Sequence, residues 1–387
     1  MRILLVGGTG VLSTDVAIEA IDSGHELYIL NRGNRKSDYI ALDNVIMADI
    51  RNEKQSLAAI GNNYYDVVID FLSFNMDHLK KTMKIFQGKC KQYIFISSAT
   101  VYSRNVDGRI TEDTPLTNDR WAYAVKKANC ETVLKDTAYL YGFEYTIIRP
   151  YITYGKTRIP FAVNSRKNQW TLIERIKQDK PVIMWDDGNA VCTLTNTKDF
   201  ARAILGLCMN ERAFGQAFHI TSGYELTWND VIRTYGRLLN KDPLIVYVPS
   251  EEIERSFPYL EHELTGDKGT TFIFDNSKLK WALDGFEFTV SFEEGIRETF
   301  SYYQSKLNEL RPNYEWDAQI DSFLEKRTHN KYKYVPYSND HSLTGRIEYI
   351  LSKCSLTRGV YQTIKNYFKI LIYKIKKEKR FMKFWEG

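Results

Sequence analysis

Short apolar runs alternate with amphipathic stretches through the first 150 residues. Ile3–Val6 is apolar and ends in glycines, and Val16, Ala17, Ala20 and Ile21 follow at helical spacing. Glu26–Leu30, Val45–Met47, Val67–Ile69, Tyr93–Ile96 and Tyr145–Ile148 are further short runs, β-branched or aromatic. Helical patterns at Lys54–Ile60, Leu79–Phe86 and Tyr123–Leu140 separate most of them. Buried strands alternating with helices predict an α/β fold with a doubly wound, mostly parallel sheet. Beyond residue 155 the pattern loosens. Trp170–Gln178 and Thr227–Leu239 read as helices, the second with Thr227 as N-cap and Asp230 three residues on. Pro181–Trp185, Ala217–Thr221 and Leu244–Val248 read as short strands of a smaller mixed α/β substrate lobe. The boundaries expected are 1–155, to which some later segments return, 156–328, mainly a substrate-binding lobe, and a helical C-terminal extension, 329–387.

Ligands of such a sheet sit beyond the carboxyl ends of its strands. The first of these loops holds Gly7, Thr9, Gly10, Val11 and Leu12. Glycines there let backbone N–H groups approach a pyrophosphate at a helix N-terminus, so the sheet is expected to be of Rossmann type. Ser13 takes the place of the third glycine and is small enough for close packing. The second strand ends at Asn31-Arg32-Gly33-Asn34-Arg35-Lys36, with no acid before Asp38. An acid would bind a ribose 2′-hydroxyl. Arg32 and Arg35 suit a 2′-phosphate, which favours NADP over NAD. Asp49 and Ile50 follow the third strand and suit the adenine edge. Phe71 and Leu72 follow the fourth.

Tyr123 and Lys127 lie one helical turn apart and project from one face. An ammonium beside a phenol favours the phenolate and lowers the tyrosine pKa, giving an acid/base near neutral pH. Ser98, in Ser97-Ser98-Ala99-Thr100-Val101-Tyr102, follows the fifth strand and precedes Tyr123 by 25 positions. The glycine loop, Asp49-Ile50, this serine run, Tyr-x-x-x-Lys and Ile148-Arg149-Pro150-Tyr151-Ile152 together resemble the extended short-chain dehydrogenase/reductases, the epimerase/dehydratase family. Later segments, at Asp187-Gly188 to Ala201 and at Asp275 to Ile296, extend the resemblance to about Tyr303.

The resemblance implies that Tyr123 is the catalytic acid/base and that Ser98 binds the reacting oxygen. It implies that Lys127 lowers the Tyr123 pKa and holds the nicotinamide ribose. Pro150 and Ile152 would line the nicotinamide, and Ser98, Thr100, Arg158 and Asn168 would face substrate. Family dehydratases carry an Asp-Glu pair, and decarboxylases a glutamate, where this chain has Ala99-Thr100. Both reactions are disfavoured, and a sugar epimerase, on a nucleotide sugar, is expected. An NADP(H)-dependent ketoreductase is the alternative, and a non-catalytic NAD(P)- or RNA-binding member is another class. The arginine that usually follows the Asp-Gly turn and binds a diphosphate is missing.

The charge is unevenly spread. The chain of 387 residues carries +5, but residues 326–387 hold 15 Lys/Arg against 4 Asp/Glu, leaving −6 on the remainder. From Tyr361, apolar residues recur at Ile364, Phe368, Leu371, Ile375, Met382 and Trp385 between lysines, as in a basic amphipathic helix. Two readings stand: a membrane surface, or docking on the body or on a second copy in a homodimer. Nucleic acid is not expected to bind. Five scattered cysteines without a CxxC pair, and histidines without ligand spacing, argue against disulfides and metal. A cytoplasmic enzyme is expected, with the inner membrane surface as its possible resting place. Trp170, Trp185 and Trp228 are expected to pack in the core rather than stack on a sugar, and Asp186-Asp187 to form a turn.

Overall fold

The computed structural model describes residues 1–34, 44–104, 106–311, 313–337, 342–354 and 357–367. Arg35, and the tail expectations for residues 368–387, lie outside them. Seven parallel strands form the main sheet. They are β1 (Arg2–Val6), β2 (Glu26–Asn31), β3 (Val45–Met47), β4 (Tyr65–Asp70), β5 (Cys90–Ile96), β6 (Glu144–Pro150) and β10 (Gln216–Ile220), in the order β10-β6-β5-β4-β1-β2-β3. The sheet is of Rossmann type. Its strands are apolar because both faces are covered. Ile3, Leu4, Leu5 and Val6 have no exposed surface.

Helix α1 (Val11–Asp22) covers one face with α6 (Thr197–Gly206). Val16, Ala17 and Ala20 meet Phe200, Ala201, Ala203 and Ile204 there. The alanines let the two helices sit close to one another and to the strands. Helices α2 (Glu53–Ile60), α3 (Met76–Ile85) and α4 (Ala122–Thr137) follow β3, β4 and β5 in turn. Leu79, Met83, Cys130 and Leu134 of α3 and α4 pack on Val68, Tyr93 and Ile147 of the other face.

The strand expected at Ala217–Thr221 is not part of a lobe. As β10 it pairs in parallel with β6, Phe218 opposite Ile148. The lobe strands are instead β7 (Ile152–Tyr154), β9 (Val191–Asn196) and β11 (Glu225–Thr227) in one sheet, and β8 (Val182–Trp185) with β12 (Ile245–Val248) in another. The remaining helices are α5 (Trp170–Lys177), α7 (Trp228–Leu239), α8 (Ser250–Ser256), α9 (Ser277–Ala282), α10 (Phe292–Ser305), α11 (Tyr314–Thr328) and α12 (Leu343–Lys353). Thr227 and Asp230 bond reciprocally at the start of α7, as a capping box does. Trp185 and Trp228 are buried edge to face, with centroids 4.7 Å apart. Trp170 is buried too. Asp187 Oδ1 accepts from Asn189 N, closing the turn at Gly188.

The chain forms two compact units. The first comprises residues 1–163, 184–238 and 247–304, and contains the main sheet. The second comprises 164–183, 239–246 and 305–387. Its centre is ionic. Lys180 Nζ donates to Asp317 at 2.7 Å and Asp321 at 2.6 Å, and Arg175 donates to both carboxylates. All four side chains are buried, and Tyr349 donates to Asp321. Tyr314 and Tyr337 pack beside them. Residues 331–337 therefore end in a buried tyrosine.

Candidate active site

The glycine turn after β1 is shaped by its neighbours. Gly7 and Gly8 have φ of 122° and 76°. A Cβ on Gly8 would lie 2.4 Å from Ile29 Cγ2. Only glycine fits, and the backbone is kept flat beneath the start of α1. Gly8 is the turn residue that motif reading passes over, since it spaces the glycines at 7 and 10. Ser13, in the third position, is buried, and its Oγ accepts from Gly10 N at 2.9 Å. Thr9, Val11 and Leu12 complete the turn and open the helix. This cradle, with the N–H groups of α1 above it, fits a dinucleotide pyrophosphate.

At the end of β2, Asn31 Oδ1 accepts from Gly33 N at 2.7 Å. Arg32 is exposed, with its guanidinium 4.0 Å from the Asp49 carboxylate. Asp49 also accepts from Arg51 N, and Ile50 is buried. After β4, the buried Asp70 shapes the loop of Phe71 and Leu72. Its Oδ1 accepts from the N–H groups of Leu72 and Ser73, and its Oδ2 from Tyr93 at 2.5 Å. Nothing in the motif pattern singles Asp70 out.

Lys127 ties this loop to the end of β5. Its Nζ donates to Ser73 O at 2.8 Å and Ile96 O at 2.7 Å, between the rings of Phe74 and Phe95. Burial pushes its pKa down to about 8, against the attraction of Asp70. An ammonium has three donors, so one remains for a ligand. Two residues past Ile96 stands Ser98, buried, whose Oγ accepts from Thr100 Oγ1 at 2.9 Å. That bond leaves the Ser98 proton for another acceptor.

Tyr123 is partly exposed at the start of α4. Its pKa is raised, not lowered as expected. Burial is the largest cause and the Asp267 charge adds to it, while the Ser98 hydrogen bond and the charge of Arg158 oppose it. Lys127 gives two of its three donors to backbone carbonyls, and its charge is not among the causes acting on Tyr123. Ser98, Tyr123, Lys127 and the charge of Arg158 therefore come together at the carboxyl end of the sheet. Pro150 ends β6 and Ile152 opens β7, both buried. Asn168 belongs to the second unit, where its amide accepts from Trp170 N and donates to Arg311 O.

A buried ion pair holds this edge. Arg149, next to Pro150, meets Glu131 of α4 in a bidentate contact, with Nη2–Oε2 at 2.6 Å. Ser97 donates to the same carboxylate at 2.5 Å, and Arg149 also donates to Tyr102. The ends of β5 and β6 and the middle of α4 are thus one network. Among the described residues, no group of three His, Cys, Asp or Glu side chains is placed to hold a metal ion.

A glycine turn after the first strand, with Ser, Tyr and Lys converging beyond the fifth, defines a dinucleotide-dependent oxidoreductase fold. A family model described as the NAD dependent epimerase/dehydratase family matches residues 3–220, and the chain belongs to that family. It is an enzyme that depends on NAD(P). It is 25% identical over 334 residues to the UDP-N-acetyl-alpha-D-glucosaminuronate decarboxylase of Bacillus cytotoxicus, covering 80% of this chain and 99% of that one. It is 24% identical over 280 residues to an Arabidopsis thaliana protein named chloroplast stem-loop binding protein of 41 kDa b, covering 67% and 70%. Among solved structures, an epimerase from Methanothermobacter thermautotrophicus superposes with a TM-score of 0.67 at 18% identity, over 80% of this chain and 94% of that one. The UDP-glucose 4-epimerase of Thermotoga maritima, solved with UDP-glucose, gives 0.65 at 21% identity, over 79% and 100%.

Proposed function

We propose that the protein is a nucleotide-sugar epimerase that works through a keto intermediate. The observation that carries this is the placement of Ser98, Tyr123 and Lys127 around one edge, with Ala99-Thr100 where elimination would need an acid and a base. When bound, the dinucleotide supplies the hydride acceptor and donor. Tyr123 takes the proton of a substrate hydroxyl as its carbon is oxidised to a ketone. Ser98 donates to the same oxygen throughout. Lys127, through its remaining donor, holds the ribose beside the phenol. Tyr123 returns the proton when the carbonyl is reduced on its other face. Several similar proteins are named for nucleotide sugars, which supports the substrate class. The decarboxylase relative does not transfer its reaction, because Thr100 offers no carboxylate.

Replacing Tyr123 with Phe tests the assignment. Turnover is expected to fall by about 10²- to 10⁴-fold while dinucleotide binding persists. Near-normal turnover would overturn it.

The lean toward NADP rests on Arg32, although similar structures solved with a bound dinucleotide hold NAD. Calorimetric titration with each dinucleotide separates the two, and Arg32→Ala is expected to weaken NADP alone. A second reading, RNA binding, is suggested by the name of the plant relative. Salt-dependent RNA retention by a chain ending before the basic tail would favour it.

The cytoplasm is the location this reading implies. All five cysteines are free, four of them buried, which agrees with a reducing compartment. For the tail, a membrane surface is the occupant we favour over a homodimer interface. Leu343, Ile347 and Ile350 of α12, and Val360, Ile364 and Tyr367 of the helix at 357–367, are exposed apolar residues at helical spacing. The residues that follow them carry seven of the tail's basic side chains. Among the described residues, no helix is long and apolar enough to cross a membrane.

A further inference from the structure

The loop between β4 and α3 treats alternate positions in opposite ways. Ser73 and Asn75 are tied to the protein. Ser73 is buried, its N–H donates to Asp70, its carbonyl accepts from Lys127, and its hydroxyl shares a 3.3 Å bond with Thr82. Asn75 is extended and caps α3, its Oδ1 accepting from His78 N at 2.9 Å. Leu72, Phe74 and Met76 are exposed, at 36%, 42% and 41% of their surface. A loop that only joined two elements would carry polar residues at such positions. Neighbouring apolar side chains left open mark a place where something binds.

The stripe runs along the catalytic edge. At one end Leu72 closes on the glycine turn, where a Cβ on Gly7 would lie 3.3 Å from Leu72 Cγ. Further along, the centre of the Phe74 ring is 4.9 Å from Lys127 Nζ, and that of Phe95 is 4.8 Å from it. The two rings differ in one respect. Phe95 has no exposed surface and serves packing, whereas Phe74 stays open at the same spot. The bonds of Ser73 and Asn75 fix the backbone on both sides of Phe74, so its ring is held in place before any ligand arrives. Lys127 in turn lies one helical turn from Tyr123, on the same face of α4. An aromatic ring therefore stands ready beside the groups that would move the proton.

What lies on that ring follows from what a phenylalanine can offer. It has no donor and no acceptor, so it selects by shape. Its face is electronegative and attracts the slightly positive C–H groups on the flat side of a sugar. A sugar that is oxidised and then reduced on its other face has to turn between the two steps. Hydrogen bonds are directional and would resist the turn, whereas an apolar wall does not. We propose that Phe74 is a specificity-determining residue whose ring forms the wall on which the substrate's sugar ring lies, beside Tyr123 and Lys127. This deepens the nucleotide-sugar reading and rests on it.

Full-length protein loaded with dinucleotide is titrated calorimetrically with UDP, UDP-glucose and UDP-glucuronic acid. For the wild type, at least one UDP-sugar is expected to bind more tightly than UDP. Phe74→Leu keeps the position apolar but removes the flat ring. It is expected to lose about 3- to 10-fold of the sugar-dependent gain, with dinucleotide affinity, UDP affinity and melting temperature close to wild type. Phe74→Tyr keeps the ring and is expected to keep the gain. A Phe74→Leu protein with the full gain overturns the proposal and leaves the nucleotide-sugar reading standing. So does one that loses dinucleotide affinity by the same factor, since the ring then belongs to the cofactor. So does one that keeps the gain but sediments as a smaller species, since a second copy then covers the stripe. A wild type that binds UDP and both UDP-sugars equally also overturns the proposal alone. A wild type that binds none of the three overturns the nucleotide-sugar reading itself, and the proposal with it.

Discussion

Lys127 shows how one side chain is set by its surroundings. Burial disfavours its charge, and its pKa falls to about 8. In the role proposed for it, its ammonium form donates to a ribose. Below pH 8 the free protein already carries that proton. Above pH 8 binding must take a proton up, so dinucleotide affinity is expected to fall as pH rises through about 8. Calorimetry between pH 6.5 and 9.5 checks this, and Lys127→Met should bind more weakly with a flatter profile. Gly8 gives a steric counterpart. Gly8→Ala meets Ile29 in a left-handed backbone and should lower stability by about 1–3 kcal/mol, while a Cβ on Gly10 meets only Ser13 Oγ at 3.4 Å. Gly10→Ala should therefore melt close to wild type. Ser98, Tyr123 and Lys127 were legible in the sequence because strand ends and helical spacing place them. Asp70 was not, because its role comes from a partner distant in sequence, Tyr93.

At the level of elements, strand ends decide where chemistry can occur. The Arg149–Glu131 pair locks β6 to α4, and Ser97 joins it to the end of β5. Removing one partner leaves a buried charge. Glu131→Ala should cost about 3–5 kcal/mol in denaturant unfolding, and Glu131→Gln less, because it keeps acceptors for Arg149 and Ser97. The strands of the main sheet were readable one by one from their apolar runs. The place of β10 was not. A run of five residues does not carry the identity of its partner, and β10 joins β6 across more than sixty residues of chain. Helix α11, and the bounds of α12 within the extension expected to be helical, were not legible for another reason. Their buried faces are rich in Asp, Glu and Tyr, which apolar periodicity does not count.

For the whole molecule, the division of charge has a structural counterpart. The basic end begins within the second unit, and part of it is neutralised there. Lys365 Nζ lies 2.6 Å from Glu348 and 3.3 Å from Glu315. Lys365, on the basic helix for which both a membrane surface and docking on the body were expected, therefore docks on the chain's own helices. The exposed apolar residues of the same helix remain for another surface. Deleting residues 368–387 is expected to abolish flotation with vesicles containing anionic lipid and to leave turnover unchanged. Full-length protein that ignores such vesicles would turn the account toward a subunit interface, which sedimentation analysis would then show.

The central proposal is that hydride leaves a sugar carbon for the bound dinucleotide and returns to its other face, while Tyr123 moves the proton and Ser98 and Lys127 position the reacting groups. Its most direct test is stoichiometry. Purified protein is incubated with catalytic dinucleotide and nucleotide sugars, and the products are followed by NMR alongside absorbance at the reduced-nicotinamide band. The account predicts that an epimer forms over many turnovers with no net change in reduced cofactor, and that Tyr123→Phe abolishes its formation. One reduced dinucleotide consumed per product formed would contradict it and make the protein a reductase.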